Sequence, residues 1–361
     1  RPDLPPLKEF IDYLEVIWDS RVLTNNGPFL QKFEAELAKY LGVEYISVFN
    51  NGTSALMCAL RALNVHGEVI TTPFSFVGTA HAMYLNGIQP VFADIEPEYF
   101  NLDPDRVEQQ ITPATTAIVP VHIYGNPCNH SRFEQIAKKH NLRLIYDAAH
   151  AFGVKEKNES ILNYGDMAII SFHATKVFHT MEGGAVICHS KNAKSRLDNL
   201  RNFGITGEES MSEPGFNAKM NEMQAALGLL QLKHIDNTLR KRQDLAAIYK
   251  QRLKNIAGIR FIDTPARVKS NNGYFPIQVN AKEYGKDRDR IYDELKQLNI
   301  YTRKYFSPLI SQFSPYKDHG SASAENLLIA SIVSKEILCL PIYADFDEQL
   351  IDTIVSYLRK Q

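Results

Sequence analysis

No two cysteines stand close enough in this chain to share a metal through one short loop. Cys58, Cys128, Cys188 and Cys339 are spread across 361 residues, which argues against a zinc ribbon and against a dense disulfide framework; buried or half-buried thiols are expected. An excess of either charge is also missing. Forty Lys and Arg against 41 Asp and Glu give a formal net charge of -1, so no overall field draws nucleic acid to the surface, and any phosphate recognition has to be local. No apolar stretch approaches the roughly 20 residues of a membrane span. The polar start, with Arg1, Asp3 and Pro5, lacks the apolar core of a signal peptide. A cytoplasmic protein with no membrane and no nucleic-acid partner is therefore expected. The GxGxxG fingerprint of a nicotinamide oxidoreductase is absent after the first strand, and low-complexity segments and short internal repeats are lacking as well.

What is present is ordinary globular composition, 44% apolar and 22% charged, and length enough for two domains with a substantial core. Short runs rich in β-branched and aromatic residues recur at Tyr45 to Phe49, Glu68 to Thr72, Pro90 to Ile95, Ala117 to Ile123, Leu142 to Tyr146, Met167 to Phe172 and Ala185 to Cys188. Helical patterns such as Ser54 to Leu63 and Ser131 to His140 alternate with them, which predicts parallel strands joined by crossover helices. Between Phe172 and Gly183 the chain is too short for a crossover. The seventh run is therefore expected to pair antiparallel with a neighbour. A long amphipathic helix is predicted from about Glu222 to Leu253. Shorter strand signals follow at Tyr274 to Val279 and Tyr301 to Tyr305, with helices at Asp287 to Leu298 and Glu348 to Leu358. The expected division is a large domain over 1–240 and a smaller α+β domain over 241–361. Arg240, Lys241 and Arg242 read as a solvated helix face.

The chemistry centres on Lys176 in SFHATKVFHTMEGG, 29 residues after the Asp147 of LRLIYDAAH. An amine placed to condense with an aldehyde and a carboxylate placed to keep a pyridine nitrogen protonated are the two groups that pyridoxal phosphate requires. Free lysine is almost wholly protonated at neutral pH, so its pocket has to favour the neutral amine. Asp147 closes an apolar strand, where it can point from the carboxyl edge of a parallel sheet into the usual ligand crevice. In NNGTSALMCAL, Gly52 permits close backbone approach, while Thr53 and Ser54 open a helix whose free N–H groups attract a dianion.

These segments, in their order, resemble the DegT/DnrJ/EryC1/StrS family of nucleotide-sugar aminotransferases. The likeness runs through LTNNGP, VITTPFSFVGTAHA, VPVHIYGNP, YDAAHAFG, GFNAKMNEMQAALGLLQL and YTRKYFSPL. It implies an α/β protein of fold type I, with a seven-stranded mixed sheet carrying pyridoxal 5'-phosphate, and the pyridoxamine form in the half-reaction. Lys176 and Asp147 would be catalytic. The resemblance gives Ser171 as a second phosphate hydroxyl and Asn217 as an asparagine reaching the phosphate from a partner subunit, hence a homodimer with shared active sites. Phe76 matches the aromatic stacked on the ring, a role that its residue type shares evenly with plain core packing. His150 stands where the family more often has Gln, and either hydrogen-bonds near the ring hydroxyl or contacts its face. Glu182, Gly183 and Gly184 resemble the turn after the lysine. Tyr124, His173, Lys219, Tyr301, Arg303 and Tyr305 are candidates for the sugar or diphosphate, since stacking and local positive charge suit such ligands. No role is assigned to His179.

The implied substrates are L-glutamate and a nucleotide-linked ketosugar, with C4 of a dTDP-4-keto-6-deoxyhexose expected from the opening segment and SFHATKVF, for glycan or O-antigen synthesis. C3 amination and a UDP carrier stay open. The family's dehydratase branch carries histidine in place of the lysine, and Lys176 speaks against it. A regulator or scaffold on the same fold is the remaining alternative.

Overall fold

In the computed structural model, which describes residues 1–359, the seven apolar runs form one mixed sheet. Its strands are β1 (Tyr45–Phe49), β2 (Glu68–Thr71), β3 (Gln89–Phe92), β4 (Thr115–Val119), β5 (Arg143–Asp147), β6 (Met167–Ser171) and β7 (Gly184–Cys188). Their order across the sheet is β1-β7-β6-β5-β4-β2-β3. Both faces of these strands are buried, which is why they read as continuous apolar runs. Alternate residues enter opposite cores. Ile46 and Val48 meet Phe33 and Leu37 on one side, whereas Phe49 joins Leu56 and Leu60 on the other.

Six strands run in one direction, and β7 alone runs against them, pairing antiparallel with both β6 and β1. The short Phe172–Gly183 connection imposes this, and the sequence expectation holds. Lys176 lies in that connection, so the lysine sits at the carboxyl end of β6, beside the carboxyl end of β5.

Several boundaries differ from those expected. The run Ala117 to Ile123 stops at Val119, because Pro120 has no N–H to extend a ladder, and Ile123–Gly125 close a 3₁₀ turn. Pro90 to Ile95 becomes Gln89–Phe92; beyond it the Asp94 carboxylate accepts the N–H groups of Ile329 and Ala330. Tyr301 to Tyr305 is no strand. It makes one bridge, Arg303 with Cys339, before turning to bury Phe306 against Phe74 and Tyr124.

A second, antiparallel sheet joins Ile259–Phe261, Phe275–Val279 and Ile337–Leu340. The helix Glu222–Leu253 begins with a capping box at Asn221 and Gln224. It lends Ala225 and Leu229 to the large core and Leu245 and Tyr249 to the core of the smaller sheet. Residue 240 lies within this unbroken helix, and residues 360 and 361 of the expected smaller domain lie outside the described residues.

One reading of this helix is overturned. Arg242 is not on a solvated face: it is 4% exposed. Its helix face packs against the smaller sheet, and Nη1 donates to the carbonyl of Ile342 at 3.1 Å. All four cysteines are buried and unpaired, as expected.

The carboxyl end of β6 and the amino end of β7 abut the start of the helix Gly52–Ala62. A β-carbon on Gly184 would stand 2.7 Å from Gly52 N and 2.8 Å from Asn51 C. Gly184→Ala is therefore expected to destabilise the protein by roughly 1–3 kcal/mol through overpacking, read as a lowered urea midpoint. An unchanged midpoint would contradict this packing.

Candidate active site

A cleft of about 570 Å³ opens at the carboxyl edge of the sheet, with Lys176 and Asp147 in its lining. Asp147 ends β5 and is 5% exposed. Its Oδ2 accepts from the Thr79 hydroxyl at 2.7 Å, and its Oδ1 from the Ala149 N–H at 3.0 Å. Neither donor is charged, and among the described residues no cation lies within ion-pair distance. Burial raises the Asp147 pKa above the usual carboxylate value, opposed by the two hydrogen bonds and by Lys176. A buried carboxylate of this kind lacks one partner, a cation entering from the cleft.

Lys176 reaches the same space from the β6–β7 connection. Its Nζ donates to the Tyr274 hydroxyl at 3.1 Å. Burial pulls its pKa down to about 8, against the opposing pull of Asp147, so the neutral amine is a sizeable minority near physiological pH and the majority above pH 8. That is the state in which a lysine attacks an aldehyde or takes a proton.

Along one wall, the Asn51 side chain caps the helix Gly52–Ala62 by accepting from Ser54 N at 2.8 Å. Gly52, Thr53 and Ser54 line the cleft beside Ser171. A β-carbon on Gly52 would lie 3.0 Å from Ser171 Cβ, so its absence lets a helix N-terminus and several hydroxyls converge. The arrangement suits a phosphate dianion. Phe76 hangs over the mouth, 62% exposed. Nothing in the chain packs on much of that ring, which removes the core-packing alternative.

His150 lies beneath. Its Nδ1 accepts from Tyr124 N at 3.2 Å, and its ring stacks on Phe306 at 5.7 Å. Burial, with Lys176 nearby, holds its pKa well below the ordinary histidine value. The imidazole is therefore neutral with Nε2 carrying the proton, a donor on a residue that lines the cleft. Tyr124 adopts φ 54° in the HIYG turn, an uncommon conformation for a bulky residue. That twist aims its N–H at His150, and its buried ring stacks on Phe306.

The expected residues thus divide. Gly52, Thr53, Ser54, Phe76 and Ser171 surround one space with Asp147, His150 and Lys176, and His173 and Tyr305 stand at its edge. Tyr301 and Arg303 line an adjoining cavity that shares Tyr305. Tyr124 supports from behind, its hydroxyl donating to the Tyr305 carbonyl. Asn217 and Lys219 do not reach this cleft within their own chain; Lys219 donates to Asn202 at 2.6 Å and sits over Phe203.

Sequence reasoning missed Thr79 and Tyr274, and Phe306, the end of the YTRKYF run expected to contact the sugar or diphosphate, stacks instead on His150 and Tyr124. Thr79 had a signal, since it lies three residues beyond Phe76 in the first turn of a short helix. Tyr274, 98 residues from Lys176, had none. His179, given no role, meets the backbone carbonyl of Asp3 at 2.9 Å and Gln231 at 3.1 Å, anchoring the start of the chain.

A profile described as the DegT/DnrJ/EryC1/StrS aminotransferase family matches residues 7–359. Over 360 residues the chain is 49% identical to a dTDP-4-amino-4,6-dideoxy-D-glucose transaminase of Shigella dysenteriae, covering 100% of this chain and 97% of that one. The solved structure of DesI with its TDP-sugar product superposes with a TM-score of 0.95 at 33% identity, over 100% of this chain and 91% of that one. NtdA of Bacillus subtilis with bound cofactor PMP superposes with a TM-score of 0.89 at 28% identity, over 98% of this chain and 82% of that one.

The lowered lysine pKa has a direct readout. Below about 8 the Lys176 amine is an ammonium; above it, a neutral nucleophile. In cofactor-free protein, modification of Lys176 by an amine-selective reagent, followed by peptide mass spectrometry, should rise with a midpoint near pH 8. A midpoint at the ordinary lysine value would contradict the burial described.

Proposed function

This chain belongs to the DegT/DnrJ/EryC1/StrS aminotransferase family, and from that premise we propose that it transfers an amino group from L-glutamate to C4 of a dTDP-linked 4-keto-6-deoxyhexose, using pyridoxal phosphate. The observation that carries the chemistry is the buried, cation-free Asp147 sharing a cleft with a lysine of lowered pKa. The substrate rests on the full-length likeness to the Shigella dysenteriae transaminase.

The donor set fits the cofactor. Asp147 would face the ring nitrogen, Phe76 would cover the ring, and Gly52, Thr53, Ser54 and Ser171 would hold the phosphate. When bound, pyridoxal phosphate supplies an aldehyde that exchanges the amino group and a protonated ring that takes up electrons as a proton leaves the substrate carbon. Lys176 would hold that aldehyde through Nζ, and its amine would serve as the base that takes the substrate proton and the acid that returns it. Tyr274 steers Nζ through its hydroxyl. Thr79 and Ala149 fix the carboxylate of Asp147 while leaving its charge unneutralised. His150 offers Nε2–H without adding positive charge beside the ring nitrogen.

A homodimer completes the proposal. Trp18 is 66% exposed on a helix, Leu7–Ser20, whose sole buried residue is Ile17. Phe203, Ile205 and Met211 are exposed apolar residues on the loop before Asn217 and Lys219. Apolar groups of this size favour a partner surface, and a second copy seated there would bring Asn217 and Lys219 to the neighbouring cleft. A cytoplasmic setting is supported by four buried, unpaired cysteines. No helix among the described residues is long and apolar enough to cross a membrane.

Incubation with glutamate and a panel of dTDP- and UDP-ketosugars, with products identified by mass and NMR, should give a 4-amino dTDP-sugar. Amination at C3 or of a UDP-sugar would move the substrate assignment within the family, and no turnover on any member would overturn the substrate class. Lys176→Ala should lose turnover by about 10²-fold or more, as expected for removal of a general acid–base.

A further inference from the structure

β1 is an edge strand of the large sheet, and among the described residues no strand lies on its outer side. Backbone groups on such an edge need other partners. At Val48, next to last in β1, the partners are two charged side chains. Glu34, on the helix Pro28–Leu41, accepts the Val48 N–H on Oε1 at 2.9 Å, and Arg201, just past the helix Lys191–Leu200, donates from Nη1 to the Val48 carbonyl at 2.6 Å. The same Nη1 donates to Glu34 Oε1 at 2.6 Å. An acceptor and a donor, tied to each other, thus occupy the places that the backbone of one more strand would fill.

Glu34 and Arg201 are both buried. They belong to a charge-balanced group: Lys194 meets Glu34 at 2.8 Å and Asp198 at 3.1 Å, and Arg201 Nη2 meets Asp198 at 2.8 Å. Burial raises the pKa of the Glu34 carboxyl, but Arg201 and Lys194 outweigh it and hold the group below its usual value. A buried ion pair adds little to stability, because desolvation offsets the attraction. What it supplies here is a fixed position, since the planar guanidinium serves Val48, Glu34 and Asp198 from one orientation.

The chain that it fixes lies immediately beyond. Asn50 N donates to the Ala218 carbonyl at 2.9 Å, and Ala218 N donates to the Arg201 carbonyl at 3.0 Å. Arg201 therefore holds the departing chain twice, at Val48 through its side chain and at Asn50 through Ala218. Asn51 then caps the helix Gly52–Ala62, whose first turn carries Thr53 and Ser54. On the opposite side a β-carbon on Gly184 would already meet Asn51 and Gly52, so the loop is clamped between β7 and the ion pair. Neither Glu34 nor Arg201 lines the cleft.

We propose that the Glu34–Arg201 pair positions the cofactor phosphate site: standing in for a strand at the open edge of β1, it sets where residues 50–54 leave the sheet and hence where the helix N–H groups and the hydroxyls of Thr53 and Ser54 converge. The inference rests on the phosphate reading of Gly52, Thr53 and Ser54 and deepens it. Both are positioning residues, acting through the loop from outside the cleft.

Titration of the cofactor-free, full-length protein with pyridoxal phosphate and with pyridoxal, followed by absorbance, separates positioning of the phosphate site from general support of the fold. Pyridoxal brings the same ring and aldehyde to Asp147 and Lys176 without the phosphate. Arg201→Lys keeps the charge and loses the fork; Glu34→Leu combined with Arg201→Met keeps apolar packing and loses both ions. Thermal melting identifies folded protein. In each folded variant the affinity for pyridoxal phosphate should fall by about tenfold, the loss of one charge-assisted hydrogen bond, with no comparable fall for pyridoxal. Unchanged affinity for pyridoxal phosphate, a parallel fall for both ligands, or failure of both variants to fold would overturn the inference. The phosphate reading fails separately, if the wild type binds pyridoxal as tightly as pyridoxal phosphate.

Discussion

Asp147 is a carboxylate lifted out of water at the end of a buried strand, and neither of its hydrogen bonds brings a positive charge. Left alone, such a group is driven toward its neutral form, and burial does raise its pKa. A protonated ring nitrogen delivered from the cleft would reverse that pressure, and the carboxylate would in turn hold the proton on the ring. The surrounding geometry serves this exchange. Thr79 and Ala149 fix the carboxylate oxygens, His150 is kept uncharged beneath the cleft, and the positive end of the Gly52–Ala62 helix lies to one side, where a phosphate rather than a ring nitrogen would meet it.

The fold supplies these placements through one departure from regularity. A crossover helix after β6 would carry the chain away over the sheet face. Instead the chain doubles back within a dozen residues, keeping Lys176 at the strand ends beside Asp147. Gly184 and Gly52 then let the two edges close up, because neither has a β-carbon to hold the backbones apart.

How much of this could be read beforehand follows from the range of the forces involved. Strands β1 to β7 were legible because burial on both faces leaves uninterrupted apolar runs, and the helix Glu222–Leu253 because apolar residues recur near helical spacing among charges in 32 residues without a proline. Lys176, Asp147 and the Gly52–Ser54 cradle lie in segments whose local chemistry is distinctive. Contacts made across long sequence separations were not legible. Tyr274 and Phe306 meet Lys176 and His150 only after the smaller sheet docks, and nothing around them announces it. Arg242 misled for a related reason: beside Arg240 and Lys241 it looks like part of a charged surface, yet its place on the helix turns it inward. The aromatic Tyr301 to Tyr305 run has the residue types of a strand, but burying Phe306 pulls it out of register after Arg303.

The central claim is that Lys176, and no other lysine, binds the aldehyde of pyridoxal phosphate. Pure protein supplied with the cofactor should turn yellow, and after borohydride reduction and digestion the cofactor mass should be found on the peptide containing Lys176. A colourless protein, or a reduced adduct only on a different lysine, would contradict the account.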